Sequence, residues 1–299
     1  TGAWAKERAN FDAFLVSQES RSLASTQEAL QARGARVDQI EERLGVPTVL
    51  WSERHATERT RSMAGQRPEQ AARTHLQRFA DIYRLTSEDI SSASLQSVHK
   101  AKYGPVVARF SQKVEGIEVF RSGVNVAMDR DNNLVAITGY LTPHEAVAVR
   151  RSMAGTDFQL GAADAIARAF KDLTDTAISG RSLVGIGAKG DYSQFAFESG
   201  VSAVMPHAMG TPARAKQVYF TLPGGLEPAW YVELNVGTKS SDDSDYYSYV
   251  VSAKDGSVLF RNNLTVEDSF TYRVWADTTS FIPFDGPHGN DATPHPTGT

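Results

Sequence analysis

The chain has 299 residues, 41% of them hydrophobic, which is enough to bury two hydrophobic cores. It carries 31 basic and 35 acidic residues and a formal net charge of −4, so neither a nucleic acid nor a membrane surface is an expected partner. The absence of cysteine excludes disulfides, thiol nucleophiles and thiolate metal sites, and no apolar run approaches the roughly 20 residues of a membrane helix.

Residues 1–60 are predicted to form an N-terminal helical segment. Apolar residues recur there at seven-residue spacing: Leu23, Leu30, Val37 and Leu44. Gly45 and Pro47 follow as a stop signal, and residues 48–51 are predicted to form a short strand. The stripe fits an amphipathic helix lying on its own domain, and a coiled-coil helix for a partner is the alternative.

A short internal repeat organises the middle of the chain. Residues 61–65 and 151–155 share the sequence Arg-Ser-Met-Ala-Gly. Each copy precedes a helix with one apolar face, formed by Ala72, Leu76, Ala80 and Tyr83 in the first and by Ala162, Ile166, Phe170 and Leu173 in the second. Strand-like runs follow both helices. We therefore predict an α+β fold made of two units, each with one helix packed on an antiparallel sheet.

Alternating apolar residues predict the strands of both units. In the first unit the strands are residues 106–114, a run through Val124, Val126 and Met128, and residues 134–140, with Glu115-Gly116 as a turn. In the second unit they are residues 217–222, 229–236, 246–253 and 257–264, with the last hairpin turn at residues 254–256. The predicted domains are residues 1–60, 61–145 and 146–268, followed by a Pro- and Gly-rich extended tail over residues 269–299.

Two sequence motifs resemble catalytic or cofactor sites but lack essential parts. His144-Glu145 begins like the zinc motif H-E-x-x-H, yet position 148 is alanine, and Pro143 predicts a turn there. Residues 185–190 match G-x-G-x-x-G, but a dinucleotide site needs a helix immediately afterwards, and residues 191–197 alternate like a strand. We predict a surface histidine at the first motif and a flexible loop at the second.

Two acidic clusters resemble cation sites. Asp129, Asp131 and Asn133 imitate the start of a calcium loop, but Leu134 and Tyr140 occupy the positions of its glycine and its bidentate acid. We predict that these side chains bind the backbone of a hairpin turn. Asp242, Asp243 and Asp245 lie in a Ser-rich loop, for which solvation is the expected state and weak cation binding the alternative. The chain is therefore not expected to be an enzyme.

The segment from Phe110 to Phe120 resembles the fungalysin/thermolysin propeptide signature, Q-x-x-x-G-I-x-V-F followed by alternating apolar residues, an acidic turn and a return strand. The residues that carry the signature are Gln112, Gly116, Ile117, Val119 and Phe120. The second unit, which ends with residues 249–259, is similar to a PepSY-type domain. The tail is similar to the opening of the mature domain in bacterial fungalysin-like peptidases.

The resemblance implies a cystatin-like or PepSY-like fold for both units and a role as intramolecular chaperone and inhibitor of a secreted zinc metalloendopeptidase. The implied partner is the catalytic domain of that peptidase. Zinc would belong to this partner, because the chain contains no H-E-x-x-H, and no cofactor is expected in the chain itself. Export as part of a precursor, to the periplasm or the medium, is also implied.

The candidate processing and inhibitory segment contains Asn263, Leu264, Asp268, Ser269 and Phe270. A thermolysin-like enzyme prefers an apolar residue after the cut, which makes Ser269–Phe270 the first expected processing bond and Asn263–Leu264 the second. Two other functions remain open from the sequence. One is a free-standing secreted protein-binding module that inhibits a protease in trans, and the other is a hydrolase whose site is assembled from distant residues.

Overall fold

The computed structural model describes residues 8–53, 63, 65–102, 104–152, 158–240 and 244–265, without the side chains of residues 150–152. The strands are β1 (Phe11–Asp12), β2 (Ala35–Glu41), β3 (Val46–Ser52), β4 (Ser94–Lys100), β5 (Val106–Val114), β6 (Ile117–Met128), β7 (Leu134–Tyr140), β8 (Leu183–Lys189), β9 (Tyr192–Phe197), β10 (His207–Leu222), β11 (Gly225–Thr238), β12 (Ser244–Ser252) and β13 (Val258–Asn263). The helices are α1 (Gln27–Ala32), α2 (Pro68–Arg78), α3 (Ser87–Ser92), α4 (His144–Ser152), α5 (Ala162–Thr174) and α6 (Ser199–Val204). None of the described helices is long and apolar enough to cross a membrane.

The described strands form one large mixed sheet. Its main order is β1-β13-β12-β11-β10-β6-β7-β3-β2, with β4 and β5 branching from β6 and with β8 and β9 branching from β10. All neighbours are antiparallel except β6 and β10, which pair in parallel through Glu118 with Val218 and Val119 with Tyr219. We call this parallel pairing the seam. It joins a first sheet half, β2 to β7, to a second sheet half made of β1 and β8 to β13.

Helix α2 covers one face of the first sheet half. Pro68 begins it, where a missing N–H costs nothing because the first amides of a helix have no partner within it. Ala71, Ala72, His75 and Leu76 are its buried residues, and their spacing places them on one face. They pack with Phe110, Val124, Val126 and Ile137 of the meander β5–β7. The alternation that predicted these strands therefore reflects burial under this helix.

Helix α5 covers the second sheet half in the same way. Ile166, Phe170 and Leu173 are fully buried and pack on Val232, Leu234 and Tyr249 of the sheet. The helix ends at Asp175, which takes a left-handed conformation. The opposite face of this sheet half is covered in part by N-terminal residues, because Phe14, Leu44 and Val46 pack on Val218, Phe220 and Phe260. The described residues up to Leu264 belong to one compact unit, and the domain boundaries expected from the sequence stay predictions.

The prediction of an N-terminal helical segment was wrong. Within the described part of residues 1–60, only α1 is an α-helix, and β2 and β3 follow it. Leu30 lies in α1, Val37 in β2 and Leu44 in a turn, and all three are buried. The seven-residue spacing therefore arises from buried residues in three different elements and does not indicate one helix. The strand predicted at residues 48–51 is confirmed by β3. Its backbone N–H and C=O groups form hydrogen bonds with β7, which is possible only because this segment is extended.

Most predicted strands agree with the structure, and two regions differ. Strands β5, β7, β12 and β13 match their predicted ranges within two residues, and β10 and β11 begin earlier than expected. Strand β4 was not predicted. The flexible loop predicted at residues 185–190 was wrong, because β8 runs to Lys189 and forms a hairpin with β9. A strand follows the glycines, so the helix required for a dinucleotide site does not occur there.

Other sequence interpretations can be placed as well. Asp129 Oδ1 accepts hydrogen bonds from the backbone N–H groups of Asp131 and Asn133, which confirms the turn-capping role. The turn predicted at His144 was wrong, because His144 is the first residue of α4. Most of both repeat copies, Asp242, Asp243 and the tail from residue 266 lie outside the described residues.

His75 links α2 to the β6–β7 turn. Its Nε2 lies 2.8 Å from the backbone oxygen of Asn132, so Nε2–H donates to that carbonyl. Burial lowers the pKa of His75 below its ordinary value of 6.5, and the bond to Asn132 only partly opposes this. The neutral imidazole is therefore the form that the fold stabilises.

The free energy of unfolding should fall as the pH drops below about 6.5, because the unfolded chain binds a proton at His75 that the folded chain resists. His75→Gln keeps a donor but does not titrate, so its unfolding free energy should fall less between pH 7 and pH 5. Urea unfolding at both pH values measures this difference. Equal pH dependence in the two proteins would contradict it.

Candidate functional site at the sheet seam

The signature residues lie where the β5–β6 hairpin meets β10. The hairpin turn is Glu115-Gly116, with φ of 53° and 82°, so both residues are left-handed, as a two-residue turn between twisted strands requires. Val114 and Ile117 pair directly on either side of it. Because β6 joins β10 only two residues later, the signature occupies the one parallel pairing of the described sheet.

Gln112 is the centre of a buried polar network. Its Nε2 donates to the Thr142 backbone oxygen at 3.1 Å, while its Oε1 accepts from Ser122 Oγ at 2.7 Å and from the Thr142 backbone N–H at 2.8 Å. All three residues are buried. The register between β5 and β6 shifts at this point, between Ser111 and Lys113. The register shift interrupts the backbone hydrogen bonds between β5 and β6 at this point. The Gln112 side chain compensates by bonding to the backbone of Thr142.

Polar contacts between described residues cross the seam. Thr142 Oγ1 and Thr221 Oγ1 are 2.8 Å apart and extend the Gln112 network to β10. Lys216 Nζ lies 2.5 Å from Glu118 Oε2, and the Tyr219 hydroxyl donates to Glu115 Oε2 at 3.1 Å. Burial alone would lower the pKa of Lys216, but the hydrogen bond and the charge of Glu118 raise it above its ordinary value. Lys216 is therefore held protonated by Glu118.

Apolar packing closes the seam on both faces. On one face, Val119 is buried against Val147 of α4, Tyr219 and Leu226, with Ile117 at the margin of the cluster. On the other face, Phe120 packs on three rings with centroid distances of 5.1 to 6.1 Å, from Phe220, Tyr231 and Phe260. Successive residues of β6 point to opposite faces of the sheet. Ile117 and Val119 therefore make apolar contacts on one face and Phe120 on the other.

A small cavity lies beside Phe120. Its volume is about 150 Å³, and Asp12, Glu41, Arg121 and Tyr140 are among the residues that line it. Arg121 takes φ of 58° within β6, and its guanidinium lies 3.7 Å from Asp12. Burial, followed by the charges of Glu41 and Asp12, raises the pKa of Tyr140 to about 12. The phenol therefore remains neutral at physiological pH.

Part of the first sheet half matches a known protein-family model. Residues 94–141 match the Fungalysin/Thermolysin Propeptide Motif. The propeptide motif begins at the first residue of β4 and ends at Leu141, one residue after β7, so it is the four-stranded meander that contains Gln112 and the β5–β6 hairpin. It covers a minority of the chain, and the second sheet half lies outside it.

Other comparisons add little. No curated protein matches the chain. Among solved structures, the chain is similar to the Bacillus megaterium YpeB C-terminal domain, at 10% sequence identity with a TM-score of 0.25, over 78% of this chain and 77% of that one. A likeness at this level supports no statement about fold or function.

The described residues include histidine, aspartate and glutamate side chains, which are common metal ligands. Among them, no group of three histidine, aspartate or glutamate side chains is placed to hold a metal ion. His144 Nδ1 lies 3.3 Å from Asp89 Oδ2, next to the end of the propeptide motif. Position 148, one turn further along, is alanine, so α4 itself supplies no second imidazole beside His144.

The candidate processing segment is only partly described. Asn263 ends β13, and its backbone N–H donates to Asn10 Oδ1 at 2.8 Å. The Leu264 N–H donates to the Tyr246 backbone oxygen at 2.7 Å. Asp268, Ser269 and Phe270 lie outside the described residues. The structure thus places Asn263 at the end of β13 in the second sheet half and bonds the next residue, Leu264, to β12.

Sequence reasoning missed the partners of the propeptide motif. Ser122, Thr142, Thr221, Lys216 and Tyr219 complete the seam, and none of them stands out in a motif. One available signal was Gln112 itself, a polar residue at an inward position of an alternating strand, which requires polar partners. Its partners Ser122 and Thr142 are 10 and 30 residues away, whereas Thr221, Lys216 and Tyr219 come from β10 and depend on the pairing of strands that are distant in the sequence.

Proposed function

We propose that this chain is the non-catalytic pro-region of an exported zinc metallopeptidase of the fungalysin/thermolysin type, and that it assists the folding of the catalytic domain and inhibits it. The observation that supports the proposal is the propeptide motif at residues 94–141, whose signature residues lie at the seam between the two sheet halves. Zinc and the H-E-x-x-H helix belong to the catalytic domain in this proposal.

The architecture suits a folding template. Secreted proteases that resist unfolding have high barriers in both directions, and a partner that binds the near-native surface lowers the folding barrier. Such a partner must keep its own shape while the peptidase is unfolded. The seam provides this, because apolar packing on both faces, the Lys216–Glu118 ion pair and the Thr142–Thr221 hydrogen bond hold the two sheet halves together.

Inhibition requires a segment that enters the cleft without being turned over. An extended chain does this by pairing with the cleft edge while its peptide bond is out of line, or by leaving a product carboxylate near zinc after cleavage. The candidate processing segment follows β13 directly and is the part of the chain that we assign to this role.

We propose Ser269–Phe270 as the first processing bond. The second choice, Asn263–Leu264, is held on both sides by hydrogen bonds to Asn10 and Tyr246, so cleavage there would first require release from the sheet. N-terminal sequencing of the matured peptidase should give Phe270 or a residue close to it. A mature start far from residues 264–272 would contradict the assignment.

The proposed function is tested in two steps. The reading frame after residue 299 should encode an H-E-x-x-H domain, and that domain, expressed separately, should be inhibited when the purified chain is added. The same domain, unfolded in guanidinium and diluted, should recover more activity in the presence of the chain. If the chain neither inhibits nor assists refolding, the pro-region assignment fails. A frame without a peptidase domain would favour the free-standing binding module.

A further inference from the structure

Four strands in the described part of the sheet pair on one side only. They are β1, β2, β4 and β8. A strand edge presents a row of backbone N–H and C=O groups, which another extended chain can pair with. Proteins usually blunt such edges with charges, shortness or irregular pairing, so an edge without charge indicates a surface that is kept available.

Three of the four edges are blunted. Strand β1 has only two residues. Strand β2 carries Arg36, Asp38 and Glu41 among its seven residues, and β4 ends in His99-Lys100. Register shifts interrupt the pairing of β2, β4 and β8 alike, so irregular pairing does not distinguish β8 from the others. Side-chain polarity does: both β4 and β8 end in a lysine, but β4 also carries Ser94, Gln96, Ser97 and His99, whereas β8 before Lys189 contains only apolar residues and glycine.

Strand β8 has the composition of an open edge. It contains no charged residue from Leu183 to Ala188, and all of its residues after Leu183 are exposed. Val184 is 47% exposed and Ile186 is 50% exposed, which is unusual for two β-branched residues so close together in a strand. The remaining exposed residues before Lys189 are glycine or alanine, so a second backbone can approach closely.

We propose that β8 receives an extended apolar segment of the peptidase domain, which adds a strand to the second sheet half by backbone pairing. This inference depends on the proposed function. The chemistry of the edge selects the occupant, since unpaired backbone groups require an extended chain and the uncharged side chains of Val184 and Ile186 require apolar neighbours. A peptidase domain tethered in the same precursor is present at an effective concentration on the order of millimolar, which a second copy in dilute solution does not reach.

The test is a charge placed on the edge. The double variant Val184→Lys/Ile186→Lys should raise the inhibition constant of the full chain against the separately expressed peptidase domain by about tenfold or more, since about 1.4 kcal/mol of binding free energy corresponds to tenfold. The matched control is Ile40→Lys, because Ile40 is 44% exposed on edge strand β2. The control should change the inhibition constant by no more than about twofold.

Hydrogen exchange supplies the direct readout. In the complex of the unmodified chain, those amides of residues 184–188 that point away from β9 should become protected, while amides of β2 stay unchanged. The circular dichroism spectrum and melting temperature of the double variant should match those of the unmodified chain, because both side chains are exposed. If the double variant has a lower melting temperature, its inhibition constant no longer tests the edge. Protection of β8 amides in the complex of the unmodified chain is then the deciding measurement.

The outcomes separate the two proposals. Inhibition by the unmodified chain with an unchanged constant for the double variant and no protection of β8 would overturn the β8 inference and leave the proposed function intact. Absence of inhibition and of binding by the unmodified chain would remove the proposed function. Sedimentation that shows a dimer of the unmodified chain, lost in the double variant at constant inhibition, would make a second copy the occupant and overturn the inference.

Discussion

Gln112→Met should lower the free energy of unfolding by about 3 kcal/mol. Methionine keeps the length of the side chain but removes three hydrogen bonds, so in a buried site the Thr142 carbonyl loses its donor and the Ser122 O–H loses its acceptor, although Ser122 Oγ still accepts from Thr142. Each buried polar group without a partner costs about 1 to 3 kcal/mol. Urea unfolding followed by circular dichroism measures the change.

Gln96→Met is the matched control for this prediction. Gln96 lies on β4 within the same propeptide motif, but its amide is exposed and bonds to Ser94 and Ser111 at the surface. Water replaces those bonds after substitution, so the free energy of unfolding should change by less than about 0.5 kcal/mol. If both substitutions lowered the free energy of unfolding equally, the buried Gln112 network would contribute no more to stability than an exposed glutamine does.

Gly139→Ala should lower the free energy of unfolding by about 3 kcal/mol or more. Gly139 lies in β7 with φ of +75°, and a Cβ built there would be 2.4 Å from the backbone oxygen of Gly123 in β6. The left-handed conformation costs alanine about 1 to 2 kcal/mol, and the contact with a backbone atom cannot be relieved by rotation of a side chain. Urea unfolding measures the total.

Gly116→Ala separates the two causes. Gly116 has φ of +82°, close to that of Gly139, but no atom lies within 4 Å of the Cβ position. Its substitution should therefore cost only the left-handed conformation, about 1 kcal/mol. A similar loss in both variants would mean that β6 and β7 move apart easily at Gly123, contrary to the close packing of the meander.

The regular strands of the meander could be predicted because one face is buried under α2. Val106, Ala108, Phe110, Gln112 and Val114 are buried and their neighbours are not, so alternation in the sequence reports the burial directly. Helical spacing located α5 in the same way, since its buried residues lie on one face; in β7 the adjacent residues Ala136 and Ile137 are both buried, so its burial does not alternate strictly.

The N-terminal region could not be predicted in this way. Its strands β2 and β3 owe their conformation to β7, whose Thr138 pairs with Val49 some 90 residues further along the chain. Short elements that each bury one to three residues leave no periodic pattern of their own. Leu30, Val37 and Leu44 therefore imitated a heptad although they belong to three different elements.

Only the part of the candidate site on β5 and β6 could be predicted from the sequence, and the part on β10 could not. The signature residues from Gln112 to Phe120 are contiguous and were identified from the sequence, whereas Thr221, Lys216 and Tyr219 come from β10. A contact between segments so far apart depends on sheet topology, which a local pattern does not contain. The resemblance marked the hairpin that forms the seam but could not indicate what it joins.

The pairing of β1 with β13 has a consequence for biosynthesis. Phe11 pairs with Arg261, and the Arg261 guanidinium donates to the backbone oxygen of Ala9, a contact between residues 252 positions apart. At about 5 to 20 residues per second, a ribosome needs roughly 10 to 50 s to synthesise the residues between them. During that interval β1 lacks the strand with which it pairs, and Phe14 lacks the part of its apolar cluster that β10 to β13 supply.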